Sequence, residues 1–347
     1  MKPAITDIPL EGLSAAVADL GLKPFVADQL ADWLYKKRAS SFDDMTNVSK
    51  PARETLKARF SIEAVGLVRF QTASDGTKKF LCRAADGAAA ECVLIPAEDD
   101  RVTVCLSTQA GCAMGCSFCR TAGMGLERNL TQGEILGQLI VAMRHSAGPV
   151  TNVVLMGMGE PLANRNAVEA AIEVMLDGRA MGLSKRRITL STCGLLQELD
   201  EFSLTFDVKI AISLNATTDE VRDILMPVNR KYPIAKIMEF CRAYSERSRH
   251  RVTFEYVLLG KVNDTKDDAR RLVELLKGIR AKVNLIPFNP YEGSAYAAPA
   301  EDTVRWWSEF LYAKGIQANI RKSRGQEIMA ACGQLAASEG LGRRHSG

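Results

Sequence analysis

Residues 101–119 read RVTVCLSTQAGCAMGCSFC, and both the fold and the chemistry of the chain can be approached from this stretch. Its first half is a short apolar run that gives way to small polar residues. Val102, Val104 and Leu106 alternate with Thr103, Cys105 and Ser107, which is the two-residue period of a strand. Helices covering such a sheet would pack on the apolar set. That turns Cys105 inward, either as a small core residue or as a group facing a site. The second half sets Cys112, Cys116 and Cys119 within one tight loop after the strand. Thiolates so placed can each hold one corner of an iron–sulfur cube. Such clusters usually take four cysteines, so three leave one iron open to another ligand. A structural zinc site is the rival, but it usually has two knuckles and four ligands, and no second knuckle follows.

Working outward, the strand pattern recurs. NVVLMGMG (152–159), RITLSTCG (187–194), VKIAISLNA (208–216), VTFEYVLLG (252–260) and VNLIPFNP (283–290) are apolar runs with polar ends. Between them lie segments with helical spacing, such as 130–145, 164–178 and 264–279. Strand and helix in alternation predict an α/β fold with a parallel sheet. With VTVCLST the units number six, which suggests a partial (βα)6 barrel; a doubly wound open sheet has the same rhythm. In both, ligands bind at the C-terminal ends of the strands, where the polar residues cluster. IQANIRKS (316–323) is a seventh strand candidate, followed by a short segment containing Cys332.

Upstream the rhythm differs. Residues 1–60 read as helices, and 62–98 as short β-runs separated by the turn signals Asp75-Gly76 and Asp86-Gly87. The expected organisation is an N-terminal accessory module at 1–98, a core at 99–333 and a flexible tail at 334–347.

Composition sets bounds. The 347 residues are 47% hydrophobic and 25% charged, as in ordinary globular chains. A net charge of +4 permits an RNA partner without demanding one. No run of ~20 residues lacks charge, and no secretory signal opens the chain, so a cytoplasmic protein without membrane contact is expected. Its nine cysteines are then read as thiols.

CxxxCxxC with an aromatic before the last cysteine, after the first strand of a βα series, is the radical S-adenosylmethionine (SAM) fingerprint. The chain resembles the RlmN family of radical-SAM enzymes, the adenine-C2 RNA methyltransferases, and more distantly the Cfr C8 methyltransferases. The resemblance spans most of the sequence, including PFVADQLADWLYKKRASSFDDMTNVSK (24–50), EDDRVTVCLSTQAGC (98–112), SLNATTDEVRDILMPVNRKYPI (213–234) and NLIPFNPYEGS (284–294). It implies a [4Fe–4S] cluster on Cys112, Cys116 and Cys119, and two SAM molecules per turnover. Gly159 and Glu160 stand where the family contacts the SAM amine. Ser191, Ser213, Leu214, Asn215 and Asn289 match further SAM contacts. Two positions depart: Cys193 stands where serine is commoner, and Asn215 where histidine is.

The resemblance also gives Cys332 a role, as the cysteine that is S-methylated by one SAM. A radical made from the second SAM takes a hydrogen from that methyl group, and the methylene adds to C2 of adenine. Loss of the C2 proton and a Cys105–Cys332 disulfide would release the methylated base. Glu91 aligns with the family's proton acceptor; whether it or Cys105 takes the C2 proton stays open. Cys82, Cys92 and Cys241, and His145, His250 and His345, show no ligand pattern.

The implied substrate is an adenine of 23S rRNA, and some family members also act on a tRNA anticodon-loop adenine. An electron donor for the cluster, a reductant for the disulfide and a monomeric state are expected. Basic residues at 185–187, 247–251, 321–324 and 343–344 are candidate phosphate contacts, with 321–324 preferred for its nearness to Cys332. The rival functions are adenine-C8 methylation, which shares all these cysteines, and a non-catalytic zinc-containing RNA-binding protein.

Overall fold

The segments read as helices and strands take those forms in the computed structural model, which describes residues 2–336. Most of the expected tail, with Arg343, Arg344 and His345, lies outside the described residues. The N-terminal helices are α1 (Leu13–Asp19), α2 (Phe25–Ala31) and α3 (Lys50–Arg59). Two hairpins follow, made of β1 (Val65–Thr72), β2 (Lys78–Ala84) and β3 (Ala89–Pro96). Their turns fall at the two Asp-Gly pairs. The Asp75 carboxylate accepts from the Thr77 N–H at 2.9 Å, and that of Asp86 from the Ala88 N–H at 3.1 Å.

The βα series then begins with β4 (Val102–Cys105). A small hairpin, β5 (Gln109–Gly111) and β6 (Leu126–Asn129), brackets the cysteine loop. There follow α4 (Gln132–Arg144), β7 (Asn152–Leu155), α5 (Arg165–Leu176), β8 (Ile188–Thr192), α6 (Leu196–Thr205) and β9 (Lys209–Ser213). Then come α7 (Asp219–Leu225), α8 (Ile234–Arg247), β10 (Val252–Leu258), α9 (Lys266–Leu275), β11 (Ala281–Pro287), α10 (Glu301–Ala313) and β12 (Gln317–Ile320).

Ten strands form one sheet in the order β1-β2-β3-β4-β7-β8-β9-β10-β11-β12. From β4 onward every pair is parallel. The order never reverses, so the sheet has no switch point of the doubly wound kind. It winds in one sense as a partial barrel, and β12 and β4 are not paired. The hairpins of 62–98 extend this same sheet, because β3 pairs antiparallel with β4.

Side chains on the barrel strands divide by the two-residue period. Val104, Val153, Leu155, Leu190, Ile210, Ile212 and Phe254 are fully buried in the apolar core. The alternate set, including Cys105, Val154, Ser191, Ser213 and Glu255, lines an internal cavity. The helix α4 couples the N-terminal segment to the barrel. Its first turn receives the Asp7 carboxylate on the Gly133 N–H at 2.9 Å, and its last turn sends Arg144 to the Ala39 carbonyl at 2.6 Å.

Candidate active site

A cavity of about 190 Å³ opens at the C-terminal ends of the barrel strands. The three loop cysteines form one side of it. Their loop is pinned at both ends: the Cys112 N–H donates to the Gly125 carbonyl at 2.9 Å, and the Arg120 N–H to that of Gly333 at 2.9 Å. Burial pushes the Cys112 thiol up to about 11. Burial also raises that of Cys116, and the Cys119 and Cys112 thiols beside it add to the shift.

The end of β7 lines the same cavity. Glu160 is buried, and burial raises its carboxyl. One oxygen accepts from the Cys193 N–H at 2.8 Å and the other from the Leu162 N–H at 3.1 Å. Its own N–H is held by the Gln109 side chain at 2.9 Å. Gly159 has φ +95, and a Cβ there would lie 2.5 Å from that of Gln109, so only glycine lets the two strand ends approach. A buried carboxylate beside bare backbone suits an ammonium group.

Ser191 and Ser213 line the same cavity, as does Asn215 in the left-handed region at φ 58. The Asn215 side chain is already engaged, accepting from the Val257 N–H at 2.8 Å. Leu214 instead is buried in the apolar core. Asn289 is turned toward the C-terminal segment, where its side-chain oxygen accepts from Ser323 at 2.7 Å and Gln326 at 2.5 Å.

Residues 321–336 fold across the cavity mouth and bring Cys332 to it. Cys332 is the exposed member of the nine cysteines, as befits a residue at a mouth, yet burial of the thiol still pushes it up to about 12. Cys105 lines the cavity too, and burial drives its thiol up to about 12. Cys105 and Cys332 thus line one cavity, and the Cys105 thiol adds to the shift at Cys332.

Glu91 lies off the cavity wall. It is buried, and burial raises its carboxyl against the pull of Lys79. One oxygen pairs with Lys79 at 3.2 Å, and the other accepts from the Ala336 N–H at 2.9 Å. Both oxygens are thus engaged, and the second holds the C-terminal segment.

Three further residues, Glu255, Arg321 and Arg222, shape or support the cavity. Glu255, in the middle of β10, lines the cavity. Arg321, expected to face phosphate, faces inward and stands 3.6 Å from Glu255. Arg222 is fully buried beneath the site and ties strand ends together, donating to the Leu214 carbonyl at 3.0 Å and to that of Cys193 at 2.9 Å. Only Glu255 carried a signal in the sequence, a lone carboxylate inside an apolar run.

Sequence comparison then joins the geometry. Residues 106–276 match the Radical SAM superfamily, and residues 4–62 match the ribosomal RNA large subunit methyltransferase N-terminal domain. The dual-specificity RNA methyltransferase RlmN of Geotalea uraniireducens is 46% identical over 334 residues, 96% of each chain. That of Desulfosudis oleivorans is 47% identical over 319 residues, 91% of this chain and 86% of its own. The chain belongs to the RlmN family. A radical SAM methyltransferase from Sphaerobacter thermophilus superposes with a TM-score of 0.94 at 41% identity, covering 97% of this chain and 100% of its own.

RlmN-family enzymes belong to the radical SAM superfamily, which uses a [4Fe–4S] cluster and SAM. The donor set fits that cluster. Among the described residues no three His, Cys, Asp or Glu side chains converge on a single ion. Cys112, Cys116 and Cys119 all come from one loop and line the cavity, and a [4Fe–4S] cube takes one thiolate per iron. Among the described residues no helix is long and apolar enough to cross a membrane.

Proposed function

We propose that this chain methylates C2 of an adenine in 23S rRNA and in a tRNA anticodon loop, through a methyl group carried on Cys332. The observation that carries this reading is the meeting of Cys105, Cys332 and the three loop cysteines in one cavity. Two additional thiols from opposite ends of the barrel series are what a methyl relay needs and what SAM cleavage alone does not.

In this reading Cys112, Cys116 and Cys119 would hold the [4Fe–4S] cluster, which would bind and reductively cleave SAM. Gly159 and Glu160 receive the amine of its methionine part, and Ser191, Ser213 and Asn215 line its site. Leu214 and Asn289 support that site from outside the cavity wall. When bound, cluster and SAM supply a methyl group and, on reduction, a 5′-deoxyadenosyl radical. The Cys332 sulfur takes the methyl group, which then loses one hydrogen. C2 of adenine is an electron-poor amidine carbon that cannot attack a methyl sulfonium, but a carbon radical on Cys332 can add to it. Release of the base needs loss of the C2 proton and attack of the Cys105 sulfur on that of Cys332, which breaks the sulfur–methylene bond, forms the disulfide, lets the methylene carbon take a proton from water and leaves one electron that the cluster would take back. Cys105 is the better placed of the two groups weighed for that proton, because the Glu91 oxygens are engaged by Lys79 and Ala336.

The target base must leave its stack to reach the cavity, so the substrate presents it unstacked or flipped. The N-terminal helices serve as the RNA-docking element, and the chain works in the cytoplasm as a monomer with an electron donor and a disulfide reductant. Mass spectrometry of nucleosides from treated RNA tests the assignment. The expected product is 2-methyladenosine; 8-methyladenosine in its place would move the chain to the C8 type. Iron-free, zinc-bearing protein from anaerobic purification would end the radical reading.

A further inference from the structure

The cavity holds a second acid whose surroundings differ from those of Glu160. β10 runs parallel between β9 and β11, and the register sets Glu255 beside Ser213 on one side and Asn284 on the other. Its Oε2 accepts from the Ser191 hydroxyl at 2.9 Å. Its Oε1 is buried and has no hydrogen-bond partner. The nearest cation, Arg321, stands 3.6 Å away, close enough to balance the charge but too far to occupy the lone pairs. A buried carboxylate oxygen without a donor is costly, and a native structure that keeps one in a reaction cavity calls for a chemical reason.

We propose that Glu255 is the base that takes the proton of the Cys332 thiol, so that this sulfur can accept the methyl group from SAM. The inference rests on the methyl-carrier reading above and adds the group that activates the carrier. Three observations support it. Glu255, Cys105 and Cys332 line the same cavity. Glu255 exerts the largest charge effect on Cys332, ahead of Arg321, Cys105 and Cys119. The nucleophile must be the thiolate, and the surroundings of Cys332 raise its thiol above the ordinary range, so that a base is needed to free the sulfur pair at neutral pH.

The step balances without an oxidant or reductant. The Cys332 S–H bond breaks, leaving its electron pair on sulfur, and the proton passes to Oε1, directly or through one water in the cavity. The sulfur pair forms the bond to the methyl carbon. The old methyl–sulfonium bond breaks, and its pair neutralises the sulfonium, which leaves as S-adenosylhomocysteine. The other titratable groups that act on Cys332 are Arg321, Cys105 and Cys119, while Lys282 of β11 feels the charge of Glu255 and of Arg321. Ser191 fixes the orientation of the acid.

Two measurements test the proposal on the cluster-loaded protein. In the first, wild type and Glu255→Gln are incubated with methyl-labelled SAM, without reductant or RNA, and the Cys332 peptide is weighed. The initial rate is followed from pH 6 to 9. Wild type should show a flat profile. The glutamine variant should be about 100-fold slower at pH 7, in keeping with the weight of general-base catalysis, and should gain about tenfold per pH unit as the thiol ionises unaided. Its half-saturating SAM concentration should stay within about twofold. Equal rates, or a loss confined to SAM binding with an unchanged pH profile, would overturn the role of Glu255. Absence of label on wild-type Cys332 would overturn the methyl-carrier reading itself, and with it this inference.

The second measurement uses no SAM: the rate of iodoacetamide labelling at Cys332, read by peptide mass, should be flat with pH in wild type and steep in Glu255→Gln. Should the glutamine variant lose its cluster, Glu255→Asp answers the question. It keeps a base and should keep the flat profile at a lower rate; a steep profile there would contradict the proposal.

Discussion

The strand-end wall of the cavity and the wall supplied by residues 321–336 are held by different kinds of contact. The strand-end wall is locked from behind. Glu160 is clamped by three hydrogen bonds, Asn215 is fixed to Val257, and Arg222 staples the carbonyls just past β8 and β9 from beneath. The other wall hangs on single tethers to distant parts of the chain. The Gly325 N–H reaches Asp75 at 3.1 Å, the Gly333 carbonyl meets the Arg120 N–H, Thr121 donates to Leu335 at 2.6 Å and Glu91 takes Ala336. In the proposed reading one wall is preorganised for a cofactor, and the other is a strap that delivers Cys332. Substitutions that reach the cavity should sort accordingly, into losses of cofactor binding and losses of thiol delivery.

The largest separation of the two is expected from Cys332→Ala. Methylated nucleoside should vanish, while iron content and SAM binding persist; methylated RNA from this variant would break the relay. Glu160→Gln should do the reverse. Loss of one charged hydrogen-bond partner of about 1.5–3 kcal/mol corresponds to SAM binding weaker by roughly 10- to 100-fold. Equilibrium binding should record it, with Cys332 alkylation unchanged.

Glu91→Gln tests the strap. It leaves Lys79 buried without its counter-charge, and breaking such a pair typically costs about 3 kcal/mol. Denaturant midpoints should show the loss, and hydrogen exchange should rise at 325–336, while SAM affinity moves less than about twofold. If SAM affinity falls instead, Glu91 belongs to the cofactor wall. The smallest effect is expected from Gly325→Ala. Gly325 sits at φ +61, and a Cβ would come within 2.9 Å of Thr77 and Ala330. A left-handed alanine costs about 1–2 kcal/mol, which should appear as faster exchange in the strap with the barrel strands unaffected.

The same contrast explains what the sequence disclosed. The barrel was legible because each strand is a short apolar run with a polar end and each connection an amphipathic helix. The hairpins were legible because Asp75-Gly76 and Asp86-Gly87 are local turn chemistry. Cys105 was placed inward by the alternation of β4 alone. What could not be read were contacts made across the chain. Nothing in the residues around Glu91 announces that its partners are Lys79 and the Ala336 N–H. Asn289 before a proline gives no sign that it will hold Ser323 and Gln326. Arg222 sits among acids in α7 and reads as solvated, yet it is fully buried because the strand-end carbonyls need a donor. Arg321 read as a phosphate contact because its basic neighbours hide the fact that Glu255 lies across from it. Glu255 itself is legible as the one charge in a strand buried along its whole length.

The most direct test of the relay uses SAM carrying a trideuterated methyl group, with the methylated adenosine weighed after turnover. A methyl group that is parked on Cys332, loses one hydrogen to a radical and regains one from water should reach the base with two deuteriums. A product with three deuteriums would mean direct transfer, and would contradict the account of Cys332 as the carrier.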